Sequence, residues 1–285
     1  MAILSSITLY PIKSCAGIDL RVATLTRSGL MSEHVFDREW MVVDGAGRFL
    51  SQREHPRMAL ITPRIKGDSL EVRAPGMLRL EIALGLPDPT LAPTLAVQVW
   101  DDELNAYDCD ALTAAWFSNA VGVPCRLARF HPRARRLASR KWSGEVDAPT
   151  MFADGFPVLL AGAASLADVN EKLAVAGRAP IPMNRFRPNL VFDDIGAFDE
   201  DYAATFQLGA SVLKPVKPCS RCTIPAVDQA SGVAGPDPLD ILAGYRRKAE
   251  LDDAICFGMN AIVSAGAEDG EIIRVGQEAD MELAF

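Results

Sequence analysis

The segment Leu213-Lys-Pro-Val-Lys-Pro-Cys219-Ser-Arg-Cys222-Thr-Ile-Pro-Ala-Val-Asp228 concentrates two thiols, three cations and a carboxylate in one short stretch. Thiols three residues apart suit several chemistries, and the spacing alone selects none of them. A redox pair would open a helix whose N-terminus stabilises the thiolate, yet Cys222 runs into Thr-Ile-Pro-Ala-Val, which reads as strand or loop. A structural zinc site needs four ligands, and no second Cys pair is present. Two apolar cysteines flanking a turn would need no chemistry at all. The remaining reading is a metal that takes one protein thiolate because an organic cofactor supplies its other ligands. If that cofactor is phosphorylated, it also needs cations and N–H donors around it, since a buried phosphate without them is too costly. Ser220 and Arg221 lie between the thiols, and Lys13, Arg38, Arg187 and Asn189 are further candidates.

Other chemistries fail on motif. There is no G-x-G-x-x-G, no G-x-x-x-x-G-K-[ST] and no G-x-S-x-G, and His34, His55 and His131 form no H-E-x-x-H pair. A formal charge of −8 repels phosphate backbones, so nucleic acid is not an expected partner. The opening MAILSSITLY lacks the features of a secretory signal, and no apolar run reaches the ~18 residues of a membrane span. A cytoplasmic protein with reduced thiols is expected, and four of its six cysteines are expected to carry no chemistry.

The elements that must position these residues read as mixed α+β, strand-rich, without the regular alternation of a doubly wound sheet. Trp40–Val43 and Arg48–Ser51 flank an Asp44-Gly45-Ala46-Gly47 turn and predict a hairpin. Three prolines between Gly85 and Pro93 mark a connection, which places a boundary near residue 100 and units at 1–100 and 101–285. Asp110 precedes a predicted helix over Ala111–Val121 with Leu112, Ala115, Trp116 and Ala120 on its apolar side. Ser165 and Asp168 resemble a capping box for a helix carrying Leu166, Val169 and Leu173 and ending at Gly177. Asp237-Pro238 should open a helix with Leu239, Leu242 and Tyr245, and Ala261–Ser264 and Glu271–Val275 return to strand.

Four separated motifs carry a family resemblance. Tyr10-Pro-Ile-Lys13-Ser14-Cys15-Ala-Gly17 and Asp37-Arg38-Glu-Trp40 resemble the N-terminal β-barrel module that precedes MOSC domains. Phe186-Arg187-Pro188-Asn189, then Cys219-Ser-Arg-Cys222 with Val227-Asp228, resemble the MOSC domain itself, as found in the bacterial and mitochondrial amidoxime-reducing proteins. The resemblance implies a β-barrel-like module packed on a MOSC β-barrel with short peripheral helices. It also implies a molybdenum cofactor of the molybdopterin type, with Cys222 as metal ligand and Cys219 as a neighbour without that role. Lys13, Ser14, Arg38, Arg187, Asn189, Ser220 and Arg221 match the residues that hold the pterin phosphate and ring. Asp228 is expected either as a proton donor near the metal or as a turn residue before Ser231-Gly232.

The activity the resemblance implies is reduction of N-hydroxylated small molecules; a cofactor carrier or sulfur-transfer protein is the alternative. Mitochondrial-type relatives have Thr-Ser within a D-T-S-P turn where this chain has Asp154-Gly155-Phe156-Pro157, so backbone N–H groups of Gly155 or Phe156 must substitute for hydroxyls. No closely spaced cysteines for a [2Fe–2S] cluster follow the MOSC motifs, so electrons are expected from a separate protein, whether ferredoxin, flavoprotein or cytochrome-like. The basic run Arg126, Arg129, Arg133, Arg135, Arg136, Arg140 and Lys141 is either a solvated loop or a docking surface for such a donor.

Overall fold

A computed structural model describes residues 1–88, 90–267 and 270–284. Along Ala2–Leu9 the buried side chains are Ala2, Leu4, Ile7 and Leu9. The strict alternation slips by one residue because the pairing with Leu190–Asp193 shifts register between Leu4 and Ser6. A β-bulge of this kind keeps Ile7 and Leu9 on the core face.

This strand sits inside a closed barrel of seven strands, in the order Val158–Gly162, Leu190–Asp193, Ala2–Leu9, Glu278–Leu283, Ala203–Leu208, Ser211–Ser220 and Ala254–Ala265. The last strand closes onto the first through pairs such as Val158 with Ala261. Only Val158–Gly162 and Leu190–Asp193 run parallel, and helix Ala163–Val175 lies in the crossover between them. A second sheet joins Thr94–Val99, Asp102–Asp108, Arg126–Phe130 and Trp40–Val43, and two smaller sheets complete the strand-rich α+β architecture. One apolar cluster runs from the barrel into the rest of the chain, including Leu4, Leu25, Trp40, Phe117 and Phe206. A smaller one, with Met41, Val99, Phe130 and Phe152, lies against the second sheet. Among the described residues, no helix is long and apolar enough to cross a membrane.

Several local expectations meet the structure with corrections. The turn at Asp44 forms, its Oδ1 accepting from the N–H of Ala46 at 2.8 Å and of Arg48 at 2.9 Å. The second arm shrinks to bridges, Val43 with Phe49 and Arg48 with Gln98, and Phe49 also lines the cavity described below. Helix α1 spans Ala111–Val121, capped by Asp110, which accepts from Thr113 N–H at 2.8 Å, and ended by Gly122 at φ +90°. Its buried face is Thr113, Trp116, Phe117, Ala120 and Val121, while Leu112 is 73% exposed and Ala115 also faces solvent. The two adjacent aromatics set the orientation, since they bury more area than Leu112 could.

The remaining helices are α2 (Arg140–Ser143), α3 (Ala163–Val175) and α4 (Leu239–Leu242). The capping box at Ser165 is not observed. Helix α3 begins straight from the strand at Gly162, so Ser165 lies inside it, fully buried, donating to Glu200 at 2.8 Å and accepting from Phe198 N–H at 2.8 Å. Gly177 follows the helix at φ +71° as expected. Asp237 accepts from Leu239 N–H at 3.0 Å, but α4 is a single turn, and Tyr245 lies beyond it with its hydroxyl donating to Asp168. Within the basic run Arg129 and Arg136 are buried braces, paired with Glu39 at 2.7 Å and Asp102 at 2.8 Å, while Arg126 pairs with Asp108 and Arg135 and Arg140 share Asp147 at the surface.

Asp110→Ala is expected to lower stability by about 1 kcal/mol through loss of the cap. Leu112→Ala should change it by less than about 0.5 kcal/mol. Urea unfolding of both variants checks the pair, and the reverse ranking would contradict the burial of α1.

Candidate cofactor site

The strand Ser211–Ser220 contains Pro215 and Pro218, which cannot donate to the ladder, and its register against Ala254–Ala265 breaks on either side of Val216 and of Cys219. These irregularities bend the end of the strand, and Arg221 N–H is tied back to Ile255 C=O at 2.8 Å. Cys219, Ser220, Arg221 and Cys222 are thereby delivered to the wall of a cavity of about 480 Å³. Lys13, Ser14, Arg38, Gly155, Phe156, Arg187 and Asn189 line the same cavity, so with Cys219–Cys222 residues from five stretches of sequence converge there.

Asp37, 2% exposed, organises the far wall. Its Oδ1 accepts from Tyr10 N–H at 2.9 Å and from Asn189 Nδ2 at 2.9 Å, and its Oδ2 accepts from Arg38 Nη1. Asn189 Oδ1 accepts in turn from Arg38 Nη1 at 3.1 Å and from Leu159 N–H at 3.0 Å. The Tyr10 ring separates two guanidinium groups, with Arg38 4.4 Å and Arg187 4.3 Å from its centroid. Such cation–π contacts offset part of the repulsion between like charges. Burial pushes the Arg187 guanidinium pKa down and the Tyr10 phenol up, so the phenol stays neutral and the arginine is a cation held under electrostatic tension.

Lys13 donates to Phe152 C=O at 2.8 Å and to Asp154 Oδ1 at 2.6 Å. Burial pulls its ammonium pKa down, and the Asp154 carboxylate opposes that. Arg221 donates to Cys219 Sγ at 3.0 Å and to Phe186 C=O at 2.8 Å. Lys13, Arg38, Arg53, Arg187, Lys217 and Arg221 make six cations on the lining, against the single carboxylate of Asp154. A cavity so charged inside a chain of net charge −8 is built for an anion. Among the described residues, Arg187 Nη2 and Arg221 Nε are buried without a hydrogen-bond partner. Unmet donors of this kind are rare and fit a site completed by a bound acceptor. The donor set therefore suits a phosphorylated cofactor, and Cys222 supplies a thiol beside it.

Asp228 is not on this lining. Its Oδ1 accepts from Ser231 N–H at 2.8 Å, Ser231 Oγ at 2.9 Å and Ala230 N–H at 3.1 Å, and its Oδ2 from Arg185 at 3.0 Å. Those backbone and side-chain donors, Ser231 foremost, hold its carboxyl below the usual range, as suits a turn brace. Sequence reasoning missed the positioning pair Tyr10 and Asp37, although both stand in the motifs of Lys13 and Arg38. It also missed Asp154 as the partner of Lys13, and Phe49, Arg53 and Trp100, which no spacing signals.

The thiols segregate. Burial pushes Cys15 and Cys109 up to about 12, Cys256 to about 11, and raises Cys125 as well. Cys219 and Cys222 are half-buried on the cavity lining. Iodoacetamide at pH 8 is thus expected to alkylate two thiols of the folded protein first, and mass spectrometry should find them at Cys219 and Cys222. Early labelling at Cys15 or Cys256 would contradict this. Asp37→Ala leaves Arg38 without its buried counter-charge and is expected to destabilise the fold by about 3–5 kcal/mol, with Asp37→Asn milder, as denaturant titration would show.

Comparison with known proteins places the chain in a family. The model of the MOSC N-terminal beta barrel domain matches residues 1–124, and that of the MOSC domain matches residues 147–280. Mitochondrial amidoxime-reducing component 1 of Mus musculus is 31% identical over 274 residues, spanning 94% of this chain and 78% of that protein. Mitochondrial amidoxime reducing component 2 of Bos taurus is 32% identical over 248 residues, spanning 85% and 71%. A molybdenum cofactor sulfurase of Oryza sativa subsp. japonica is 30% identical over 294 residues, spanning 96% of this chain and 35% of that protein. Two domain models in order, together with relatives at this identity over most of both chains, make the protein a member of the MOSC family that carries the N-terminal β-barrel domain ahead of its MOSC domain.

Proposed function

We propose that this protein is a molybdenum-cofactor oxidoreductase that reduces N-hydroxylated compounds, such as amidoximes, hydroxylamines and N-hydroxylated bases, with electrons from a separate electron-transfer protein. The observation that carries this reading is Cys222 on a cavity whose cations keep two buried guanidinium N–H groups unpaired. Similarity to proteins named amidoxime-reducing components supports the substrate class, and the word component supports a partner for electrons. A cytoplasmic setting would keep the thiol reduced.

In this reading Cys222 is the metal ligand, and Lys13, Ser14, Arg38, Arg187, Asn189, Ser220 and Arg221 hold the pterin and its phosphate. Gly155 and Phe156, on the same lining, offer backbone N–H groups. The cofactor, when bound, supplies a metal centre that exchanges two electrons and an oxygen atom, chemistry no side chain here provides. The chain's own work is positional. Asp37 and Asn189 hold Arg38 in place, Tyr10 spaces Arg38 from Arg187, and Asp154 holds Lys13 at the cavity edge. Fixing donors before the ligand arrives lowers the entropy cost of binding it.

A second reading, a cofactor carrier or sulfur-transfer protein, is favoured by the likeness of nearly the whole chain to a molybdenum cofactor sulfurase. Elemental analysis and turnover separate the two. Protein made in a cofactor-competent host is expected to hold close to one molybdenum per chain, Cys222→Ala to lose it, and the loaded wild type to consume benzamidoxime with a chemical reductant. Metal without turnover would favour the carrier, and absence of metal from the wild type would overturn the reductase reading and leave the carrier or sulfur-transfer one, or a non-catalytic role.

A further inference from the structure

The cofactor residues leave one wall of the cavity unused. Phe49, Arg53 and Trp100 line it; Trp100 comes from a hairpin of the second sheet, Phe49 and Arg53 from the stretch that follows Trp40–Val43, and none from the barrel. Trp100 is the unusual member. It stands in the two-residue loop between Val99 and Asp102, which pair directly, and its φ is +56°. That is the left-handed region that asparagine or glycine ordinarily fills in such loops, and a bulky residue there is a real outlier.

Gln98 Nε2 donates to the Trp100 carbonyl at 2.9 Å, and three further contacts hold the indole itself. Its Nε1 donates to Asp154 Oδ1 at 3.1 Å, the Arg53 guanidinium lies 4.8 Å from its ring centroid, and Phe49 meets it edge-on at 5.2 Å and 65°. Even so, 46% of the residue remains exposed. Backbone strain maintained by surrounding contacts gathers at ligand-binding positions, and an immobilised, half-open indole on a cavity wall has surface to stack on.

We infer that Trp100, steadied by Arg53 and Asp154, is an aromatic subsite that selects planar aryl and heteroaryl substrates over aliphatic ones. The inference rests on the proposed reductase reading for its substrate class. Asp154 also holds Lys13 at 2.6 Å, so the same carboxylate couples the substrate wall to the cofactor wall. Stacking on the indole tightens substrate binding, and its loss therefore acts on KM more than on kcat.

The test compares wild type, Trp100→Ala and Trp100→Phe. With loaded enzyme and a chemical reductant, kcat/KM is measured for benzamidoxime and for acetamidoxime. The aryl-to-alkyl ratio is expected to fall about three- to tenfold in Trp100→Ala, through KM, and to recover largely in Trp100→Phe. An unchanged ratio, including equal losses on both substrates, would overturn the inference. In parallel, benzamide is titrated against tryptophan fluorescence and by calorimetry. Quenching in the wild type that disappears in Trp100→Phe, with calorimetric affinity kept there and lost in Trp100→Ala, supports the subsite. Equal affinity in all three proteins, or no binding to the wild type, refutes it. A wild type that binds benzamide through Trp100 yet reduces neither oxime would sink the reductase reading and leave the aromatic subsite standing.

Discussion

The site depends on one buried carboxylate. Asp37 collects Tyr10 N–H, the Asn189 amide and Arg38, groups that come from well-separated stretches of the chain, and each of its bonds fixes something else. Through Tyr10 it fixes the ring between two arginines. Through Asn189 it reaches Leu159, and so the barrel strand Val158–Gly162. A carboxylate this deep is tolerated only when hydrogen-bonded and paired, and here every partner is also part of the cavity or directly behind it.

Strain gathers around the same place. Ser14, Arg38, Trp100 and Arg187 all line the cavity with φ between +51° and +65°. Each such conformation in a residue other than glycine costs about 1 kcal/mol or more, and no fold keeps several in one cavity without compensation. For Arg38 and Arg187 the compensation is visible in the Tyr10 ring and the Asp37 network; for Trp100 it is the hydrogen bond to Asp154. Left-handed backbone turns these side chains toward a common point that extended or helical backbone would not reach.

The charge distribution follows the same logic. An acidic chain keeps the solution field negative, while six cations face inward around one carboxylate. The basic run from Arg126 to Lys141 takes little part in this, because Arg129 and Arg136 are buried braces and three of its other members are matched by acids. Sequence clustering of charge and spatial clustering of charge are therefore different things in this protein. The cluster with chemical meaning is assembled from residues as far apart as Lys13 and Arg221.

Much of the architecture is legible in the residues alone. Asp110 ahead of α1, Gly177 as a helix end, the turn at Asp44 and the strand-rich character all follow from local physics, since each depends on neighbours a few positions away. The motifs around Lys13, Arg38, Arg187 and Cys222 likewise name nearly half of the cavity lining. What only the tertiary structure decided is where local rules compete. Leu112 yields to Phe117 as the buried residue of α1, and Ser165 serves Glu200 instead of a helix start. Trp100, held by Asp154, comes to face the cavity. In each case the deciding partner lies far along the chain or in competition with another apolar group. Such a choice is made by packing and burial after the chain has closed, which no local pattern of residue types contains.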